Sequence, residues 1–315
     1  MNFFFNEREK RLRAGWRLII QLVLLFFMAG FLTLGFQSIW QSSLSIASAI
    51  PQSIGFICSV WIAARLLDKR PLKHYGLSFN SQWIKDFNAG IIIAATAIGV
   101  IFFAEWFMGW LSISGYGWEN KTTPYFIAAL LSSLTAMLLV GFYEELFSRG
   151  YQLLNLTEGL QFPNISQHIA VAGAVIITSV LFGLLHTYNP NASAVSTFNI
   201  ILAGVVLAVP FVLTGKLGLS AGLHFSWNFT QGSVFGFPVS GSYLDTSLLL
   251  IDQKGMDIWT GGAFGPEAGL MGIAGMAIML GGSYVYILKS GYKNGISSLF
   301  LKKNTPTINS DEQAR

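Results

Sequence analysis

The sequence predicts an all-α fold, a polytopic membrane helical bundle with about eight transmembrane helices. Of the 315 residues, 53% are hydrophobic and only 11% are charged, whereas a soluble globular protein carries roughly a quarter charged residues. Apolar stretches of about 20 residues, long enough to cross the hydrocarbon core as helices, recur along the chain. We therefore expect one transmembrane domain over residues 1–302, followed by a polar and disordered cytoplasmic tail over 303–315.

Eight apolar segments are the predicted helices. The first is too long for the apolar part of a signal peptide, so we expect it to be retained as a transmembrane helix. The fourth, fifth and seventh are the least hydrophobic or the most interrupted. In chain order the segments are 16–36, 47–67, 87–112, 125–147, 169–187, 195–213, 217–237 and 268–288.

The basic residues predict the orientation of the helices. Lys and Arg cluster before the first helix, in the 65–85 connection and after residue 288, whereas the 37–46 connection carries no charge. Cytoplasmic loops are enriched in Lys and Arg, so eight helices place both termini in the cytoplasm. The single cysteine, Cys58, excludes an intrachain disulfide. No motif for nucleotide, structural zinc or nucleic acid is present.

Ionisable residues inside the apolar segments are the candidates for function, because each costs roughly 2.5–3.5 kcal/mol at the centre of a membrane helix. In the stretch GFYEELFSRG, residues 141–150, Glu145 and Arg149 are four apart and can pair on one helix face. Glu144 is rotated by about 100° from Glu145 and stays available for chemistry. The alternative is that the helix ends near residue 143 and these charges are solvated at the membrane surface.

Two histidine motifs lie in later segments. His186 follows Phe182 by four residues at the end of the fifth segment, and Asn228 follows His224 by four in the seventh. Taken singly, His186 is consistent with a capping residue and the His224–Asn228 pair with an interhelical hydrogen bond. Glu105, in the third segment, has no partner in its own helix and is left out of the candidate site.

Together, one glutamate, two histidines and an asparagine on three helices form a set able to activate water. Glu144 would take the proton of the water, and an Asn or His donor would stabilise the oxyanion. A carboxylate and two histidines can instead hold Zn²⁺ with an open position, so Glu144, His186 and His224 are also candidate ligands of Zn²⁺ or another divalent metal. The zinc-protease pattern HExxH is absent, and the residues leave both mechanisms open.

Three stretches carry a family resemblance. EELFSR (144–149), FGLLH (182–186) and HFSWN (224–228) resemble the EExxxR, FxxxH and HxxxN/D motifs of the CPBP intramembrane proteases. That family comprises the type II CAAX prenyl endopeptidases, the Abi or bacteriocin self-immunity proteins and their relatives. FPVSG (237–241) and TGGAFGPEAG (260–269) resemble bacterial members. The core of the resemblance covers about 125–240.

The resemblance implies a membrane endopeptidase that cleaves a membrane-associated protein or peptide, which is lipidated in the branch that cleaves beside a prenylated cysteine. By position, Glu144 would activate water and Asn228 would be the oxyanion donor. His186 and His224 would complete the catalytic set, with Glu145, Arg149 and Phe182 in supporting positions. Family members have been described as metalloproteases and as glutamate-dependent proteases, and we expect water activated by glutamate. The resemblance also implies a bacterial plasma membrane protein.

Two other functions remain open. The chain would be a catalytically silent immunity or regulatory protein that binds a partner protein, or a transporter of protons or small solutes with Glu and His as relay residues. An enzyme is favoured over a silent binding protein because all four candidate catalytic residues are present: Glu144, His186, His224 and Asn228. A transporter would be expected to contain inverted repeats, and none are visible in the sequence. No nucleic-acid partner is expected, and the oligomeric state is not predicted.

Depth in the membrane constrains the single-site interpretation. If the fifth helix runs outward, His186 at its end lies far from His224, which is near the start of the seventh helix. A fourth helix that continues past Arg149 to a turn near Gln161 would bring Glu144 and His186 closer in depth. The 189–194 loop would then lie inside the protein, lining a cavity.

Overall fold

The structure, a computed structural model, describes residues 3–7, 9–39, 45–119 and 125–301. Its helices are α1 Ala14–Ile39, α2 Ser45–Ile62, α3 Ser81–Phe107, α4 Phe126–Leu160, α5 Gln167–Leu185, α6 Ala194–Thr214, α7 Gly218–Phe229, α8 Asp257–Thr260 and α9 Leu270–Lys289. Its strands are β1 Phe5–Asn6, β2 Arg11–Leu12, β3 Leu111–Tyr116 and β4 Leu249–Gln253, and they pair antiparallel as β1 with β2 and β3 with β4.

The predicted all-α polytopic bundle is confirmed. Within the described residues, seven helices are long and apolar enough to cross a membrane: α1, α2 with its extension to Leu67, α3, α4, α5 with the turn to Tyr188, α6 and α9. The predicted tail over 303–315 lies outside the described residues.

The seventh predicted segment, 217–237, forms a shorter helix than expected. It contains the 12-residue helix α7, followed by the π-helical turn Thr230–Val234. The chain then turns at Gly236, whose φ is 77°, a conformation that glycine adopts without strain. Every residue of α7 from Gly218 to Asn228 is buried, so this polar-rich helix is enclosed by its neighbours and does not face lipid.

The third predicted helix, 87–112, is displaced toward the N-terminus in the structure. The Asn80 side chain accepts a hydrogen bond from the Trp83 N–H at 3.0 Å and caps the start of α3, as asparagine commonly does at this position. At the other end the chain turns at Gly109, whose φ is 68°. Residues from Leu111 onward then form β3 instead of a last helical turn.

Helix α4 is 35 residues long and ends at Leu160. The alternative in which it ends near residue 143 is wrong, and so is the predicted end at 147; the long helix that the depth argument requires is the one observed. Its segment Leu146–Leu153 is a π-helix. Such local widening of a helix occurs frequently at functional sites.

Glycines bring α7 close to the helices on both sides of it. A Cβ on Gly222 of α7 would lie 2.1 Å from the backbone oxygen of Phe87 in α3. A Cβ on Gly141 of α4 would lie 2.7 Å from the backbone nitrogen of Phe225 in α7. Because small residues are what allow helix backbones to approach this closely in membranes, these two positions determine how near α7 lies to α3 and α4.

A buried polar cluster fixes the far end of α4. Arg17 of α1 donates to Asp68 at 2.5 Å and to Glu158 of α4 at 3.1 Å. Asp68, which follows α2, also accepts from the Tyr75 hydroxyl and from the Asn155 amide. The cluster therefore ties the start of α1 and the end of α2 to the end of α4. At the opposite end of the bundle, Asp245 accepts from the Ser45 N–H at the start of α2 and from the Ser132 hydroxyl of α4.

We predict that Gly222→Ala destabilises the protein by about 1–3 kcal/mol, because the new methyl group meets backbone that cannot move independently of its helix. Gly99→Ala in α3 is the matched control, since no atom lies within 4 Å of the Cβ built there; it should leave stability unchanged or slightly raised. Thermal unfolding of both variants in one detergent measures the difference. Equal melting temperatures would contradict the close packing of α7.

Candidate active site

The carboxylate of Glu145 lies at the centre of the candidate site and makes two charged contacts. Its Oε1 accepts from Arg149 Nη1 at 2.9 Å and from His224 Nδ1 at 2.9 Å. The predicted i,i+4 pair with Arg149 is present. The spacing along the chain did not predict that Glu145 also contacts His224; the close approach of α7 at Gly141 brings the His224 ring to both glutamates.

Arg149 compensates the buried carboxylate and links three helices. Its side chain is 2% exposed and that of Glu145 is fully buried. Its Nη2 donates to the Gly204 carbonyl of α6 at 3.2 Å, and its guanidinium lies 4.3 Å from the centre of the Phe182 ring of α5. A buried charge is tolerated when it is paired and hydrogen-bonded, and Arg149 meets both conditions. The supporting role predicted for Arg149 and Phe182 is consistent with these contacts.

The hydrogen bond to Glu145 determines which nitrogen of His224 faces the second glutamate. An ionised carboxylate only accepts hydrogen bonds, so His224 Nδ1 carries the hydrogen. Its Nε2 then lies 3.9 Å from Glu144 Oε2. This separation exceeds a hydrogen bond, and a water about 2.8 Å from both atoms would bridge them. The pair is therefore suited to holding one water.

The second oxygens of both glutamates support that interpretation. Oε2 of Glu144 and Oε2 of Glu145 are buried, and neither has a hydrogen-bond partner among the described residues. Buried polar atoms in proteins are almost always hydrogen-bonded to protein or to ordered water. Oε2 of Glu144 is thus an acceptor suited to a water or a substrate group.

His186 lies in the same region as His224, and both histidine rings are near the Phe182 ring. The centre of that ring lies 4.7 Å from the centre of the His186 ring and 6.2 Å from the centre of the His224 ring. His186 Nδ1 lies 2.7 Å from the Phe182 carbonyl oxygen; a carbonyl only accepts, so Nδ1 carries the hydrogen and Nε2 is a free acceptor. The structure therefore brings both histidine motifs together, as the long α4 predicts.

The loop after His186 docks against the other loops at this end of the bundle. The Asn189 side-chain amide donates to the Ser240 carbonyl at 3.1 Å, and that of Asn191 donates to the Gly241 carbonyl at 3.2 Å. These contacts join the 189–194 loop to the FPVSG stretch. Both stretches consequently lie beside the histidines.

A largely apolar cavity of about 880 Å³ connects the candidate residues to the surface of the bundle. Glu144, Phe182, His186, His224 and Asn228 all line it. The exposed residues of its lining include apolar side chains of α1 and α5, together with residues of the loop that follows α5: Phe26, Leu181, Leu184 and Leu185, and Thr187, Tyr188 and Pro190. The cavity thus opens sideways, toward the space that lipid would occupy.

The predicted metal ligands do not form a joint set in this arrangement. Among the described residues, no three His, Cys, Asp or Glu side chains are grouped as metal ligands. Glu144 and His224 are neighbours, and both histidine rings pack near the Phe182 ring, but no ion pair or hydrogen bond among the described residues joins His186 to Glu144 or His224. We therefore derive no step through a metal ion.

One comparison with known proteins matches the part of the chain that carries this site. A family model described as Type II CAAX prenyl endopeptidase Rce1-like matches residues 126–230. Over this segment, about a third of the chain, the protein is similar to that family. The matched range runs from the start of α4 to the end of α7 and contains every predicted site residue. No curated protein and no solved structure matches the chain.

We predict that Arg149→Met lowers the free energy of unfolding by about 3–5 kcal/mol, because it leaves the Glu145 carboxylate buried without a charge partner. Adding Glu145→Gln removes that unpaired charge and should recover part of the loss. Unfolding of the single and double variants in one detergent gives the comparison. A double variant whose loss equals the sum of the two single losses would contradict a coupled pair.

Proposed function

We propose that this protein is a membrane endopeptidase related to the Rce1-like family, and that it hydrolyses a peptide bond with a water activated by Glu144. The observation that carries the proposal is the unpaired, buried Glu144 Oε2 at 3.9 Å from His224 Nε2, beside a cavity open to the side of the bundle. Glu145 supports it by orienting the His224 ring.

The proposed reaction uses the residues in the following way. Glu144 takes a proton from the water while the oxygen bonds to the carbonyl carbon of the substrate, and His224 Nε2 helps to orient that water. The Asn228 amide, which lines the same cavity, donates to the oxyanion. The carbon–nitrogen bond then breaks, and Glu144 returns the proton to the leaving amine. The products are a carboxylic acid and an amine, so the water is consumed and Glu144 is regenerated.

The shape of the cavity supports a substrate that enters from the bilayer. Its volume of about 880 Å³ is large for a peptide bond alone, and its lining is mainly apolar. Its exposed lining includes apolar side chains of α1 and α5. We propose a membrane-associated peptide or protein, with a lipid group or an apolar segment, as the substrate class.

The distribution of charge supports a cytoplasmic location for both termini. The start of α1 lies beside the end of α4, through Arg17 and Glu158. The chain after α9 returns to the same end, where Gln161 donates to the Phe300 carbonyl. Lys and Arg are concentrated near both of these regions, which is the pattern of a cytoplasmic face. We propose a bacterial plasma membrane as the location.

We predict that Glu144→Ala and His224→Ala each reduce cleavage by about 10²–10⁴-fold, because each removes a group that acts on the reacting water. The assay is a panel of fluorogenic lipidated peptides with purified protein, with and without a chelator. Glu105→Gln is the control: this carboxylate is also buried, but it lies in α3 and accepts from Gln253 instead of lining the cavity.

Two results would contradict the proposal. Equal cleavage by wild type and by both alanine variants would remove Glu144 and His224 from the reaction. If a chelator abolished cleavage and added metal restored it, the reaction would require a metal ion, and water activation by glutamate alone would be rejected. Binding of a peptide without any cleavage would instead indicate a silent binding protein.

We predict that Leu181→Trp reduces kcat/KM by about tenfold, which corresponds to about 1.4 kcal/mol, by narrowing the exposed side of the cavity. Ile177→Trp is the matched control, because Ile177 is on the same helix with similar exposure, 42% against 48%, and does not line the cavity. Steady-state kinetics in lipid vesicles measure both variants. An equal effect of the two substitutions would exclude entry between α1 and α5.

A further inference from the structure

A second, small cavity adjoins the large one and shares both histidines with it. Its volume is about 40 Å³, which is enough for a few water molecules at most. Five residues with polar side chains line it: His186, His224, Asn228, Ser240 and Glu267. The rest of its lining comes from Phe182, from Trp227 and from apolar side chains of α6 and α9. All of these polar residues except Glu267 also line the large cavity.

Glu267 is a buried carboxyl group that the proposed reaction does not use. It lies in the turn Pro266–Ala268 just before α9 and is 3% exposed. Its Oε2 accepts from Gln231 Nε2 at 2.6 Å, and its Oε1 accepts from the Ser240 N–H at 3.3 Å. No lysine, arginine or histidine among the described residues forms an ion pair with it.

The surroundings of Glu267 favour its neutral form. Burial raises the pKa of Glu267 to about 7, and the hydrogen bonds from Gln231 and from the Ser240 N–H oppose this rise. The titratable groups facing the cavity are His186 from α5 and His224 from α7, whereas α6 and α9 contribute only apolar side chains. A protonated carboxyl group is a hydrogen-bond donor.

The histidine on the other side of the cavity offers the matching acceptor. The Nδ1 hydrogen of His186 is directed to the Phe182 carbonyl, so Nε2 presents a lone pair. His224 is already held between Glu145 and Glu144. A neutral Glu267 and a free His186 Nε2 are therefore a donor and an acceptor that share a cavity of the size of a few waters.

We propose that Glu267 is a positioning residue of this site: its neutral carboxyl group donates, through water in the small cavity, to His186 Nε2 and holds His186 in place for the reaction. The inference rests on the proposed hydrolysis. A Glu267 that only fastened the loops to the end of α7 would affect stability but would not make cleavage depend on its protonation.

The test uses the full chain in lipid vesicles and the same peptide assay from about pH 5 to 9. The experiment first requires that wild type cleaves the peptide and that Glu144→Ala does not. If this is not observed, the proposed function is rejected, which is a different outcome from rejecting the role of Glu267. Because the neutral acid is the donor, wild-type activity should fall as the pH rises through about 7, by about tenfold in total.

Glu267→Gln keeps a neutral donor of the same shape, so it should retain activity near pH 6 to within about threefold and lose the fall above pH 7. Glu105→Gln, the matched buried-carboxyl control, should keep the wild-type profile. Glu267→Ala should lose about tenfold in kcat near pH 6, with KM unchanged, and should show no further fall above pH 7.

One result overturns the inference directly: identical pH profiles for wild type and for a folded Glu267→Gln protein. If thermal unfolding shows that Glu267→Gln does not fold, Glu267→Asp is tested in its place. That variant keeps a titratable carboxyl group but in a shorter side chain. A lower kcat with a fall that persists at a shifted pH supports the positioning role. Unchanged kcat and an unchanged profile in Glu267→Asp overturn it.

Discussion

The shared hydrogen bonds of the Glu145 carboxylate are the interaction on which the site depends. One oxygen accepts from both Arg149 and His224, at a depth where an unpaired charge would cost several kcal/mol. Arg149 compensates that charge, and the charge in turn fixes the hydrogen of His224 on Nδ1. Glu144 makes no such pair, and its Oε2 lies 3.9 Å from His224 Nε2. We propose that the neighbouring glutamates have different tasks, with Glu145 structural and Glu144 available for chemistry.

The architecture serves to bring α7 against α4 at this point. A helix that crosses the membrane fully would present lipid-facing residues, whereas α7 is short, buried and rich in polar side chains. Glycine at 141 and at 222 permits the close approach, and the polar cluster around Asp68 holds the far end of α4. Because packed interiors transmit strain, displacement of α7 would separate His224 from both glutamates.

The fold class and the Glu145–Arg149 pair were predictable from composition and spacing along the chain. The long α4 was not, because the apolar pattern ends near residue 147; it followed only from the depth that a single site requires. The contact between Glu145 and His224 could not be predicted from the sequence. It depends on how closely α4 and α7 approach each other, and the spacing of residues along one helix contains no information about that distance. The length of α7 was overestimated because its apolar pattern continues to residue 237, beyond the turn at Gly236. The sequence did not single out Glu267, because one acidic residue in a connecting segment resembles a solvated loop charge. The similarity of GPEAG to bacterial proteases was the one feature that indicated a role for this segment.

The central claim is that Glu144 and His224 act as one unit on a single water. The most direct measurement is the cleavage rate of Glu144→Ala, of His224→Ala and of the double variant under single-turnover conditions. Residues that act as a unit are strongly non-additive, so the double variant should be about as slow as the slower single variant. A double variant slowed by the product of the two single effects would show that the residues act independently, and would contradict the account.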